Sequence, residues 1–262
     1  MREVPLYQAI EAGCTSVEAD IWLEDKELYV GHHSWTLTSS STLKKLYIDP
    51  LVAILEHQNN KSRLHAGDES GRVFGVYDTD PNVSLVLLLD FETDGEQAWL
   101  TVQEQLEPLR ERGMLTSWNG DTKAITQRPV TVVATGYAPF DLIVANTTYR
   151  DVFFDAPLDQ LSDKYTPENS FYASCSFLTA VGFFWLRPSS SQVAQVKSQI
   201  EAASRRGLIS RYWDAPDWPI SRRNNVWNFL LENGIGILNV NDVMNAARWN
   251  WDWCVVAGLV LC

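Results

Sequence analysis

Residues 83–90, VSLVLLLD, give the strongest strand signal in the chain. The run is apolar almost throughout, as a strand covered on both faces of a parallel sheet should be. A different pattern occupies residues 14–33, CTSVEADIWLEDKELYVGHH. There Val17, Ala19 and Ile21 alternate with Glu18 and Asp20, which predicts a half-buried strand. A turn at Glu24-Asp25-Lys26 leads into a second strand over residues 27–30, which ends in Gly31-His32-His33. Further strands are expected at 130–134, 151–154, 171–177, 208–213 and 235–240. Helical spacing and terminal signals predict helices between them. These cover 4–13 with Gly13 at the end, 43–57 with Pro50 as kink or break, 95–112, 189–207 and 224–234. In the third of them Trp99, Val102, Leu106 and Leu109 share the inward face. Residues 58–72 read as a polar loop. Strands alternating with helices argue for an α/β fold with a parallel sheet, and a TIM-type (β/α)8 barrel is the natural candidate. About seven strand–helix steps are countable, one short of closure.

Composition narrows the function classes. With 262 residues, 45% of them hydrophobic, the chain can build one substantial core. The simplest division is a single domain over 1–243 followed by a C-terminal helix or tail over 244–262. The net charge of −12 argues against a nucleic-acid partner, which demands clustered Lys and Arg. No run approaches the ~20 apolar residues of a membrane-spanning helix, and no signal peptide is visible, so the compartment stays open. Cys14, Cys175, Cys254 and Cys262 show no metal-ligand spacing and leave the redox environment undecided. The tail, residues 246–262, is rich in Trp and apolar residues and suits a last packed helix or an association surface.

Candidate chemistry concentrates in the first strand. Residues i and i+2 of a strand point to one face, so Glu18 and Asp20 project together. Adjacent carboxylates repel unless something positive lies between them, and a hard divalent cation with oxygen ligands is the usual solution. The competing reading is a solvated acidic edge strand. Asp90 closes the apolar run at the C-terminal end of its strand, where α/β folds place their chemistry, and is a candidate third ligand. Asp94, four residues on, reads instead as the cap of the following helix. His32 arrives where an imidazole could act on a substrate held at the carboxylates.

These residues carry a resemblance. VPLYQAIEAGCTSVEADIWLEDKELYVGHH (4–33) resembles the first block of the PI-PLC-like and glycerophosphodiester phosphodiesterase superfamily. LYIDPLVAILEHQN (46–59), GVYDTDPNVSLVLLLDFETDG (75–95) and RYWDAPDWPISRRNNVWNFLLENGIGILNVNDV (211–243) fit the same family in the same order. The branch most similar is the fungal altered inheritance of mitochondria protein 6 group; sphingomyelinase D is a more distant likeness. The resemblance implies a TIM-type barrel holding one divalent cation, Mg or Ca, on Glu18, Asp20 and Asp90. It implies a small-molecule or lipid phosphodiester as substrate and a metal-dependent phosphoric diester hydrolase as function. Two histidines share proton transfer in that superfamily, and His32 maps onto the second. Trp213 and Asn239 map onto positions lining the substrate pocket. Two departures bear on this. Relatives carry a His-Asn-Asp-Tyr-type segment on the first barrel strand, just before the first helix here, so the barrel is expected to lack that strand and its histidine. Glu92 stands where relatives commonly have lysine. The alternative implied by these departures is a non-catalytic metal- or ligand-binding barrel.

Overall fold

A computed structural model describes residues 4–66, 73–248, 255–256 and 259–260. They divide into two compact units: Met1–Ala156 with Tyr165–Phe171, and Pro157–Lys164 with Tyr172–Cys262.

The first unit opens on helix α1 (Pro5–Glu11), with proline in its first turn and Gly13 just beyond its end in the left-handed region (φ 77°). Strands β1 (Ser16–Glu24) and β2 (Glu27–Val30) form the expected hairpin. Its two turn residues, Asp25 and Lys26, both have positive φ, which matches the twist of the flanking strands. A π-helical turn (Lys44–Ile48) runs into helix α2 (Asp49–Ala66). Pro50 therefore sits where the helical turn changes from π to α, and the helix runs on through this irregularity instead of breaking there. The expected loop from residue 58 is corrected too, because α2 continues to Ala66. Asn59 holds that extension: its amide donates to Leu55 O at 2.7 Å and its Oδ1 accepts from Phe74 N at 2.8 Å. The polar composition of residues 58–66 had suggested a loop.

Next come β3 (Leu85–Phe91) and α3 (Gly95–Arg110), the latter capped as expected by Asp94, whose Oδ1 accepts from Glu96 N at 3.0 Å. Three short strands, β4 (Ser117–Asn119), β5 (Ala124–Thr126) and β7 (Tyr149–Arg150), make a small antiparallel sheet that periodicity did not reveal. Between them lie β6 (Val130–Gly136) and α4 (Phe140–Ala145), and β8 (Val152–Pro157) follows. The main sheet of this unit runs β8-β6-β3-β1-β2, parallel except for the β1–β2 hairpin. One face of it builds the core. Ala19 and Ile21 of β1, Leu87 and Leu89 of β3 and Val132 of β6 pack with Leu6 of α1, Leu55 of α2 and Val102 and Leu106 of α3. Each of the Leu, Ile and Val side chains contributes roughly 1.5–3 kcal/mol by leaving water. Leu88 of β3, pointing the opposite way, is also buried, as the apolar run predicted.

The second unit holds β9 (Ser170–Ser176, shared at its start with the first), helices α5 (Phe177–Ala180) and α6 (Ser190–Arg205), and β10 (Ile209–Trp213). Helix α7 (Ile220–Glu232), β11 (Ile237–Leu238) and α8 (Val243–Arg248) complete it, with β10 parallel to both β9 and β11. Ser189 and Gln192 form a reciprocal capping box at the start of α6. Helix α7 starts four residues earlier than its sequence signals suggested, and the last strand is shorter. Two short strands, Val255–Val256 and Leu259–Val260, pair antiparallel. The other residues of the Trp-rich tail from 249 onward lie outside the described residues. The fold is thus α/β, with parallel strands in both units. No helix among the described residues is long and apolar enough to cross a membrane.

Candidate metal centre

The face of the first unit's sheet opposite its core carries the acids. Alternation along β1 puts Glu18 and Asp20 on that face, while Val17, Ala19 and Ile21 are buried on the other. In the parallel pairing of β1 with β3, Asp20 lies directly beside Asp90. One carboxylate oxygen from each of Glu18, Asp20 and Asp90 falls within 4.8 Å of the others. Three hard oxygen donors at this spacing suit Mg or Ca. The neighbouring strand leaves room for them. Gly136, beside Phe91 in the β3–β6 register, has φ 67°, and a Cβ there would collide with Asp90 Oδ1. The position of the Asp90 carboxylate therefore requires glycine at 136.

Backbone hydrogen bonds hold the hairpin around this cluster. Gly31 N donates to Asp20 O at 3.0 Å, and Trp22 Nε1 donates to Gly31 O at 2.5 Å. Trp22 sits two residues beyond Asp20 on the same face, so its indole fixes the chain as it leaves β2 toward His32. Below, Tyr47 Oη donates to Glu18 O at 3.1 Å. Burial pushes the Tyr47 phenol well above its usual range, and the nearby Asp20 and Glu18 charges add to that.

His32 Nδ1 lies 3.3 Å from Asp20 Oδ2. The imidazole is 79% exposed, so this pair orients the ring and stabilises the fold by less than about 1 kcal/mol. His33 packs against His32 with ring centroids 4.4 Å apart, and Trp35 stacks on His33 at the same distance. Glu92 lies close enough to be influenced electrostatically. Its carboxyl is raised mainly by partial burial and then by Asp20, with His32 opposing and Glu18 adding to the rise. It is not one of the three carboxylates that converge.

The fold thus brings together Glu18, Asp20, Asp90 and His32, all in the first unit. Trp213 and Asn239 belong to the second. Trp213 ends β10 and is 44% exposed, and Asn239 follows β11, where its Oδ1 accepts from Arg211 Nε at 3.2 Å. Sequence reasoning overlooked Trp22, Tyr47 and Gly136. For Trp22 the signal was present, as the same i+2 step that pairs Glu18 with Asp20. Gly136 was visible only as a residue closing a β-branched run, and Tyr47 carried no signal.

Comparison with known proteins places the chain. The sequence profile of the AIM6-like phosphodiesterase domain matches residues 1–155. Over 259 residues the chain is 38% identical to "Altered inheritance of mitochondria protein 6 homolog" from Arthroderma benhamiae, covering 94% of this chain and 80% of that protein. It is 36% identical to "Altered inheritance of mitochondria protein 6" from Eremothecium gossypii, covering 92% of this chain but only 65% of the relative. Identity to the protein of that name from Saccharomyces cerevisiae S288c is 30%, over 94% of this chain and 67% of the relative. A crystal structure of a glycerophosphodiester phosphodiesterase from Parabacteroides distasonis aligns over 93% of this chain and 87% of that one. At 12% identity and a TM-score of 0.44 it is too distant to carry an argument. The profile match and the identities over most of the chain agree with the blocks of residues that suggested the family, and this chain belongs to the family of the AIM6-like phosphodiesterase domain.

Proposed function

We propose that this chain acts as a metal-dependent phosphoric diester hydrolase on a phosphodiester of lipid or glycerophosphodiester type. The observation that carries the proposal is the convergence of Glu18, Asp20 and Asp90 within 4.8 Å, with His32 leaning on Asp20 at the rim. Glu18, Asp20 and Asp90 would hold Mg or Ca. Such a cation, when bound, supplies Lewis-acid stabilisation of charge developing on phosphate oxygens. His32 supplies the proton chemistry. Its Nδ1 is turned to Asp20, which leaves Nε2 as the nitrogen to hand a proton to the leaving-group oxygen. Trp22, through Gly31, holds the chain that carries that ring beside Asp20. The α/β architecture is read further as a TIM-type (β/α)8 barrel, in which Asp90 at the C-terminal end of β3 occupies the customary place for chemistry.

Glu92 favours a second reading. A carboxylate among Asp20 and Glu18 opposes an approaching phosphate, which suits a barrel that binds a cation or ligand without hydrolysing it. One assay separates the two. A panel of chromogenic and lipid phosphodiesters is incubated with the chain and Mg or Ca, with and without EDTA. Hydrolysis that EDTA abolishes is the expected result. No turnover of any phosphodiester, in a chain that still binds the cation, would overturn the enzymatic reading in favour of the second.

A further inference from the structure

The proton chemistry of the candidate site falls to a side chain that a single hydrogen bond does not hold still. The His32 imidazole is 79% exposed, and its contact with Asp20 Oδ2, at 3.3 Å, restrains one edge of the ring. Exposed side chains exchange between staggered rotamers within nanoseconds, and each excursion away from Asp20 turns Nε2 off its target. The residues that follow supply a second restraint. The His33 ring lies 4.4 Å from His32, tilted by 48°, and Trp35 stacks on His33 at 4.4 Å, 21° from parallel. His32, His33 and Trp35 thus form a continuous row of rings leading outward from Asp20. The backbone beneath the row is closed at both ends. Trp22 Nε1 and Asp20 O hold Gly31 at its start. At its far end a short 3₁₀ turn over Ser34–Thr36 is tied back to His33, whose carbonyl accepts from Thr36 N at 2.9 Å and from Thr36 Oγ1 at 2.7 Å. That turn brings Trp35 back over His33, two residues earlier. Trp35 is itself 80% exposed, so core packing does not account for it.

We propose that Trp35 is a positioning residue, which acts through His33 to hold the His32 imidazole in the rotamer that faces Asp20. The inference rests on reading His32 as the proton donor to the leaving group. A contact between aromatic rings is strong enough to bias a rotamer equilibrium several-fold. Only the oriented fraction of His32 can transfer a proton, so the bias passes directly into the rate of that step. The cation site does not share this dependence. Glu18, Asp20 and Asp90 are set by the pairing of β1 with β3, which Trp35 does not enter. Trp35 therefore bears on turnover and not on metal affinity.

The test is a double-mutant cycle on phosphodiester hydrolysis with Mg or Ca present. Trp35→Ala is expected to lower kcat by about three- to tenfold, with KM and cation affinity unchanged, and Trp35→Phe to recover most of the loss. In a His32→Ala background the same substitution should have no further effect, because the group through which Trp35 acts is gone. The loss should also be confined to esters of weakly acidic alcohols. A nitrophenyl ester, whose leaving group departs without a proton, should be hydrolysed by Trp35→Ala at the wild-type rate. NMR gives a readout that needs no turnover: three-bond couplings of the His32 side chain should report one χ1 rotamer in the wild type and averaging in Trp35→Ala. The inference is overturned by a variant that raises KM at constant kcat, which would make the indole a substrate contact. An equal loss in the His32→Ala background, or His32 couplings identical in the two proteins, would overturn it as well. A wild type that hydrolyses no phosphodiester yet shows the rotamer change would refute the hydrolase reading alone and support the restraint.

Discussion

Gly136→Ala is expected to destabilise the chain by about 2–4 kcal/mol and to remove cation binding in the same step. The residue lies at φ 67°, a conformation that an L side chain adopts only under strain. The added methyl would sit 2.7 Å from Phe91 O, a backbone atom that cannot move without disturbing β3, and would collide with Asp90 Oδ1. Strain and backbone clash act on stability; displacement of the carboxylate acts on the site. The denaturant midpoint and a calorimetric titration of Mg or Ca report the two effects separately. An unchanged midpoint with unchanged cation affinity would mean that Asp90 does not depend on glycine beside it.

His32→Ala is expected to reduce phosphodiester hydrolysis by ~10²–10⁴, the usual loss when one general acid or base is removed. Cation affinity should change little, because Glu18, Asp20 and Asp90 remain in place. Stability should change little either, since the imidazole is 79% exposed and its contact with Asp20 is a surface pair. This separation distinguishes a proton donor from a ligand. If the variant lost the cation as completely as an aspartate variant does, His32 would be part of the metal's shell. If it hydrolysed at the wild-type rate, another group would carry the proton.

Much of this arrangement could be read from local pattern. The alternation of Val17, Ala19 and Ile21 with Glu18 and Asp20 set one face of β1 before any partner strand was known. The unbroken apolar run ending at Asp90 marked β3 as covered on both faces, which the burial of both Leu87 and Leu88 bears out. The caps at Asp94 and Ser189 were legible because an N-cap is a local exchange between one side chain and the amides two or three residues on. What escaped was non-local or short. The β4–β5–β7 sheet consists of strands of two or three residues, too few for a period, and its register comes from tertiary pairing. The α2 extension was missed because its residues are as polar as those of a loop and show no apolar period. Gly136 is 46 positions from the carboxylate it accommodates, so its role follows only from the β3–β6 register. Trp22 looked like one more apolar strand residue; its indole N–H, bonded across the hairpin to Gly31, is what gives it a place in the site.

The central claim is that Glu18, Asp20 and Asp90 form a divalent-cation site, and calorimetric titration of Mg and Ca into the wild type and into Asp20→Ala tests it most directly. The account predicts saturable binding of one cation per chain in the wild type and its loss in the variant, with both proteins unfolding cooperatively. Absence of binding in the wild type, or equal binding in the variant, would contradict it.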